Sequence, residues 1–248
     1  MSAVPDGGST SRSIDKALSI LELLSGAPDG MRMIDISRGL ELPKSSTHVT
    51  LEALQRRRYV ERDPDGHYRL GLKLFETANR MLSQLDVRRV ARPCLETLTR
   101  RSGLTSHLAA LDGREVVYLD RVDGPSFVKF DTYVGKRARL EFTAVGRAIA
   151  SSFAEDRLAT VLPDADPDLK RQLRGFDHQG YSIEDGVEAE GVYCVGAPIH
   201  SASGEVCHSI SVIGLRRDLD RDGFQALGAE VREAAHRISE GLGYRFAT

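Results

Sequence analysis

The stretch Leu42-Pro-Lys-Ser-Ser-Thr-His-Val-Thr-Leu51, followed by Tyr59-Val-Glu-Arg-Asp-Pro-Asp-Gly66 and His67-Tyr-Arg-Leu-Gly71, decides the fold of the first third of the chain. Pro43 is a favoured first helical residue, and the helix it opens runs through Leu51 and Leu54 to Arg56-Arg57-Arg58. Two β-prone runs, Tyr59–Arg62 and His67–Leu70, then flank Asp63-Pro-Asp-Gly66. Those four residues are strong turn formers, so the two runs form a hairpin. Upstream, Ile14, Ala17, Leu18, Leu21 and Leu24 follow helical spacing, with Ser13 as N-cap and Asp15 in the first turn. Gly26-Ala-Pro-Asp-Gly30 ends that helix. Met33, Ile36 and Leu40 mark a second, short helix in which Ser37 is small enough for a close helix crossing. Three short helices and a hairpin make a winged helix-turn-helix.

A helix that reads DNA needs short polar groups and a cation or two at its N-terminal end, because that end meets the base edges. Lys44, Ser45, Ser46, Thr47, His48 and Thr50 meet that need. Arg62, His67 and Arg69 on the wing suit phosphates, and Arg56 and Arg57 extend the basic strip. Each feature alone is better explained as a helix cap or a solvated face. Helix, turn, helix, wing and strip together favour a DNA reader.

Net charge at first argues otherwise. The 248 residues carry 34 Lys+Arg against 36 Asp+Glu, a formal charge of −2. Residues 43–73, however, hold seven basic and four acidic side chains, and a binding face depends on local charge. No run of about 18 apolar residues is present, so nothing reads as a membrane span. The Ser/Gly/Pro-rich start, Met1 to Ser13, reads as a frayed tail rather than a signal peptide. Cys94, Cys194 and Cys207 are odd in number and widely spaced, which suits a reducing cytoplasm better than a disulfide framework.

From Gly71 a helix carries Leu74, Ala78, Met81 and Leu85, with Phe75 and Leu82 beside them. That stripe is wide for a connector, and pairing with another chain is the favoured explanation. A helix over Val87–Arg101 follows, then strands Ser106–Leu111, Val116–Val122 and Phe127–Tyr133. Helices are expected at Thr143–Ser152, Glu155–Val161 and Asp168–His178, and strands at Val192–His200 and Val206–Ile213. The last helix presents Phe224, Leu227, Val231, Ala234, Ala235, Ile238 and Leu242 on one face. The chain is therefore expected to be α+β, with a DNA-binding domain over 11–72, a linker and dimerisation helix over 73–89, and an effector-binding domain over 90–248.

The hairpin around Ser201–Gly204 can be read geometrically. Pairing His200 with Glu205 sets Cys194 opposite Ser211, Gly196 opposite Ser209 and Pro198 opposite Cys207, all on one face. Val195, Ala197, Ile199, Ile210 and Val212 then form an aliphatic face for helices. The small, weakly polar face suits either tight packing or a compact polar ligand. The helix start at Thr143-Ala-Val-Gly146 offers backbone N–H groups and a positive dipole end to a carboxylate. No metal site is expected, because Cys194 and His200 lie about 20 Å apart along a strand. His107 and His178 are lone histidines, more often structural or surface than ligands. No nucleophile elbow, Walker loop or dinucleotide fingerprint is present. A thiol-dependent redox enzyme using Cys94, Cys194 or Cys207 is the rival reading, and nothing sets a base or resolving cysteine beside any of them.

The chain resembles the IclR family of bacterial transcriptional regulators. The resemblance rests on Arg12-Ser-Ile14 through Ser19-Ile-Leu21, on the helix and wing stretches above, and on Gly135, Leu140 and Thr143-Ala-Val-Gly-Arg-Ala148. Gly180-Tyr181, Gly191-Val-Tyr-Cys194, Ala197-Pro198 and Ser209-Ile-Ser-Val212 complete it, so it spans essentially residues 12–245. It implies a GAF-like effector domain that senses a small carboxylate or aromatic acid. It also implies a palindromic operator in double-stranded DNA and dimers or dimers of dimers coupled through the linker helix. No cofactor and no catalytic residue are implied. Carried over by position, the effector-binding candidates are Ala144, Val145, Glu184, Cys194, Ser209 and Ser211. Several positions depart from the family pattern. Val49 stands where an arginine is usual, and Glu41 and Arg58 replace turn glycines. Arg139, Glu141 and Phe142 replace proline, histidine and a small residue, and Gly186-Val187 replaces acidic residues. Phe127, Phe130 and Tyr133 nearby point to an aromatic or bulky acid.

Overall fold

The computed structural model describes residues 12–83, 86–127, 130–187, 190–215 and 221–246. The chain divides between Leu82 and Ser83 into two compact units.

The N-terminal unit contains α1 (Arg12–Ser25), β1 (Met31–Arg32), α2 (Met33–Gly39), α3 (Lys44–Arg56), β2 (Val60–Arg62), β3 (His67–Leu70) and α4 (Leu72–Ser83). Ile20, Leu24, Ile36, Leu51, Leu54, Val60 and Tyr68 form its core. Arg12 and Ser13 already lie in α1, so Ser13 is a helical residue rather than the cap. Pro43 is the N-cap of α3 and not its first helical residue, since its ψ of 137° is extended. The wing has a third strand, β1, which pairs with β3 at Met31↔Tyr68 and escapes sequence reading because two residues carry no periodicity. On α4, Leu72, Phe75 and Met81 are exposed. Leu85, expected in the same stripe, lies outside the described residues.

Glu41 and Arg58 are the non-glycine residues with positive φ among those described, at 52° and 63°. They occupy the two turns that bound α3. The left-handed conformation brings Cβ too close to the following carbonyl oxygen, so an L side chain there costs roughly 1–2 kcal/mol. At the second turn Gly71 closes on Arg58, where a Cβ would sit 2.2 Å from the Arg58 carbonyl oxygen.

The second unit contains α5 (Asp86–Ser102), β4 (Thr105–Asp112), β5 (Glu115–Val122), β6 (Arg137–Arg139) and a single 3-10 turn (Leu140–Phe142). Then come α6 (Ala144–Ser151), α7 (Glu155–Val161), α8 (Pro167–Gln179), β7 (Ser182–Asp185), β8 (Val192–His200), β9 (Val206–Leu215) and α9 (Arg221–Gly241). The strands form one antiparallel sheet in the order β6-β5-β4-β9-β8-β7. One face packs on α5 and α9 through Leu95, Leu98, Leu108, Val195, Ile210, Val212, Val231 and Ile238. The other carries α6 and α8 over Ala109, Val116, Tyr118, Val145, Ile149 and Leu173.

The β8–β9 register differs from the expected one. His200 pairs with Val206, an irregularity follows at Ile199/His200, and beyond it Pro198 opposes Ser209, Gly196 opposes Ser211 and Cys194 opposes Ile213. The slip is two residues along most of the hairpin. Because side chains alternate with a period of two, a two-residue slip changes partners and leaves every face assignment intact. The expected strand over Phe127–Tyr133 is not formed by its described residues, and residues 128 and 129 lie outside them. The edge strand is β6, where Ala138 pairs with Val116. Strand β7 is short and half polar, and its pairing with β8 is what completes it.

Glu41→Gly and Arg58→Gly are each expected to stabilise the N-terminal unit by about 1 kcal/mol, relief of the αL penalty less the extra unfolded-state entropy of glycine. Hydrogen exchange of the α2 and α3 amides in the full chain, with and without urea, measures this.

Candidate nucleic-acid interface and effector pocket

Helix α3 buries Thr47, Leu51 and Leu54. At about 100° per residue, Ser45, Val49, Glu52 and Arg56 lie on the opposite pole. Lys44, Ser45, His48, Val49, Glu52, Arg56 and Arg57 are exposed. Thr47 is not available to DNA: it is fully buried, and its hydroxyl donates to the Pro43 carbonyl at 3.1 Å. Its polar group closes the first turn of the helix instead. Ser46 is half-buried and accepts a 2.8 Å hydrogen bond from Lys16 Nζ on α1, a cation that the sequence reading passed over. The Thr50 hydroxyl donates to the Ser46 carbonyl at 2.9 Å, and His48 Nε2 lies 3.5 Å from Glu52 Oε1.

The wing divides its cations between two tasks. Arg69 Nε donates to the Asp29 carbonyl at 3.1 Å, and its Nη2 lies 3.3 Å from Asp63 Oδ2. The His67 backbone N–H donates to Asp63 Oδ1 at 2.9 Å. That hydrogen bond holds the Asp63 carboxyl below its ordinary range, against a smaller opposing effect of burial. Arg69 and His67 therefore brace the hairpin turn. Arg62 is exposed, with its guanidinium 5.4 Å from the centre of the Tyr68 ring.

In the second unit, the first turn of α6 is fastened to the sheet. Ser182 Oγ donates to the Ala144 carbonyl at 2.7 Å and Ser209 Oγ to the Val145 carbonyl at 2.8 Å. Gly196, between them on β8, lets the helix approach, since a Cβ there would sit 2.7 Å from the Ala144 carbonyl oxygen. Thr143 caps the helix by accepting from the Gly146 N–H at 3.1 Å. Ser209 is thus completely buried in a structural bond, which corrects its place among ligand-facing residues. Ala144, Val145, Glu184, Cys194 and Ser211 are all buried; Glu184 pairs with Cys194 across β7 and β8, Cys194 packs with Ala144, and Ser211 opposes Gly196. Ala144, Cys194 and Ile213 pack together with Phe130 against them. Glu184 Oε1 accepts from the Val187 N–H at 2.5 Å. Burial lowers the Arg147 pKa, and the carboxylates of Glu184, Asp166 and Glu141 oppose that effect.

Sequence reasoning missed the β4–β5 side of this face. His107 opposes Ser211 on β9 and Arg121 on β5. Its ring meets Tyr118 edge-on at 5.2 Å, and its Nε2 is 2.9 Å from the Thr132 hydroxyl. Burial pushes the His107 pKa down to about 3, so the ring is neutral. Arg121 donates to the Thr132 hydroxyl at 3.0 Å and to the Phe130 carbonyl at 3.3 Å, holding that segment over the sheet. The signal was hidden because β4 pairs with β9, about 100 residues away, and no local pattern reports that. Of the three aromatics named from the sequence, only Phe130 packs here. Phe127 is fully exposed and Tyr133 is 60% exposed. On the reverse face, Asp120 is 3% exposed, and its carboxylate meets Arg92 at 2.9 Å and Arg88 at 3.5 Å on α5.

Cys94 and Cys207 do not resemble nucleophiles. Burial raises the Cys94 and Cys207 thiols, which disfavours the thiolate that attacks. Among the described residues, no three His, Cys, Asp or Glu side chains are grouped to hold a metal ion.

Comparison with known proteins gives the same two-part division. The IclR helix-turn-helix domain family matches residues 13–64, and the family described as bacterial transcriptional regulator IclR C-terminal matches residues 79–240. The HTH-type transcriptional regulator XynR of Escherichia coli is 29% identical over 246 residues, covering 94% of this chain and 98% of that protein. The crystal structure of the Thermotoga maritima IclR is similar with a TM-score of 0.81 at 27% identity, covering 95% of this chain and all of that one. An IclR homologue from Microbacterium hydrocarbonoxydans, solved in complex with 4-hydroxybenzoate, shares the fold at 24% identity and a TM-score of 0.80, covering 93% of this chain and 98% of that one.

Two outcomes follow for stability. Below pH 6.5 an unfolded His107 takes up a proton that the buried ring refuses, so its neutral burial favours folding fully only above that pH. Stability should fall by up to about 1.4 kcal/mol per pH unit from there down to about pH 3, and His107→Gln should flatten that slope in urea titrations. Ser209→Ala removes the second donor to the Val145 carbonyl, which keeps its bond within the helix, and should cost about 0.5–1.5 kcal/mol in the same measurement.

Proposed function

Since the chain belongs to the IclR family of helix-turn-helix transcriptional regulators with a ligand-binding C-terminal domain, and is not an enzyme, we propose that it reads a palindromic operator under the control of a small organic acid. The single observation that carries the DNA half is the exposed N-terminal part of α3. It presents Lys44, Ser45 and His48, in one unit with a wing bearing Arg62. Residues 11–72 form the DNA-binding domain. Lys44, Ser45, His48 and the partly covered Ser46 and Thr50 face bases. Arg56, Arg57, Arg62 and, beside its bracing role, Arg69 face phosphates together with His67.

Residues 90–248 form the effector domain, in which Ala144, Val145, Glu184, Cys194 and Ser211 contact the ligand. The backbone N–H groups that open α6 attract a carboxylate. Tyr118, His107 and Phe130 give the surroundings an aromatic character that supports an aromatic acid, as does the ligand of the Microbacterium homologue. The exposed Phe75 and Met81 of α4, within a linker over 73–89, and Leu72 just before it, support pairing with a second copy, as dimer or dimer of dimers. Two recognition helices then sit about one DNA turn apart, roughly 34–36 Å. The protein works in the cytoplasm, where its operator lies. No helix among the described residues is long and apolar enough to cross a membrane. The acid alters DNA affinity to the extent that it binds the two arrangements of the regulator with different strength.

Arg62→Ala should weaken binding to specific and random duplexes alike and reduce the slope of log K against log salt by about one. Lys44→Ala should instead change the base preference in a competition assay, and unchanged affinity and preference would refute the reading-helix assignment. Ser211→Leu should abolish any thermal shift given by 4-hydroxybenzoate or a related small carboxylate while leaving DNA binding intact.

A further inference from the structure

Val49 is 64% exposed at the outward pole of α3, flanked along that pole by Ser45 one turn before it and Glu52 one turn after. The rest of that pole is polar or charged, and the buried face of the helix lies on the other side at Thr47, Leu51 and Leu54. A β-branched side chain gains nothing in water at such a position, and it lowers helix propensity slightly. The cations around it are arranged for an anionic surface. Lys44 precedes it by five residues, Lys16 reaches Ser46 one turn away, and Arg56 and Arg57 follow. An apolar group inside a basic frame, on a helix that enters the major groove, matches one feature of that groove: the C5 methyl of thymine.

We infer that Val49 is a specificity residue that packs on a thymine methyl in each half-site. This rests on the assignment of α3 as the DNA-reading helix. Its apolar neighbours Ile14 and Leu18 belong to α1, and all three line a groove between α1 and α3.

The test uses the full chain and a duplex enriched by it from a random-sequence pool. Each thymine of the enriched site is replaced singly by deoxyuridine, which removes the methyl and keeps the pairing. Kd is then measured by fluorescence anisotropy for the natural chain, Val49→Ala and Val49→Ile. The expected result is one thymine per half-site at which deoxyuridine weakens the natural chain and Val49→Ile roughly fourfold, the worth of about one buried methyl-sized group. Val49→Ala should bind the two duplexes equally. Equal deoxyuridine effects in the natural chain and Val49→Ala at every position would overturn the inference while leaving DNA reading by α3 in place. Such a result would mark Val49 as part of a protein-facing patch with Ile14 and Leu18. Failure to enrich any sequence would overturn the DNA-reading assignment and this inference together.

Discussion

The effector unit depends on how closely the first turn of α6 lies against the sheet. Two serine hydroxyls, on β7 and β9, donate to consecutive carbonyls of that turn, and a glycine between them on β8 removes the Cβ that would keep the helix away. Inside the helix, Gly146 has the same function toward the 3-10 turn, where a Cβ would sit 2.1 Å from the Leu140 carbonyl oxygen. Each hydroxyl adds a buried second hydrogen bond to a carbonyl already bonded within the helix, and with the close approach at Gly196 these contacts fix where the helix sits. The start of α6 is thereby held against the sheet face that carries Ser182, Gly196 and Ser209.

The same face shows two roles for residues that look alike in sequence. Ser209 and Ser211 are two apart on β9 and both point to α6 and its surroundings. Ser209 reaches a carbonyl of the helix and is a fastening; Ser211 opposes Gly196 on one side and His107 on the other, beyond the end of that helix contact. On β5, neighbouring residues face opposite ways. Arg121 holds the Phe130–Thr132 segment over the face that carries His107, while Asp120 takes Arg88 and Arg92 of α5 on the reverse.

Much of this was legible beforehand. The winged helix was readable because its elements are local: a helix period, Asp63-Pro-Asp-Gly66 and a basic run. The aliphatic face of β8 and β9 was readable because alternation survives a slip of two residues, even though the irregularity at Ile199/His200 moved every partner. The strained turns at Glu41 and Arg58 were readable as sites where glycine is absent, and both adopt positive φ. Thr47 was misread because its hydroxyl resembles those of Ser45 and Ser46, whereas its position on the helix places it beside Leu51.

The sequence by itself determined which segments become helices, which face of each is apolar, and where the basic strip lies. Those properties depend on neighbours within one or two turns or along one strand. Tertiary structure decided which polar groups remain available to a ligand or to DNA. Ser209, Thr47 and Arg69 each have a partner that removes or shares their function, and His107 acquires its place only when β4 joins β9. Hydrogen-bond partners and burial are set by segments distant in the chain, so no local pattern could have assigned them.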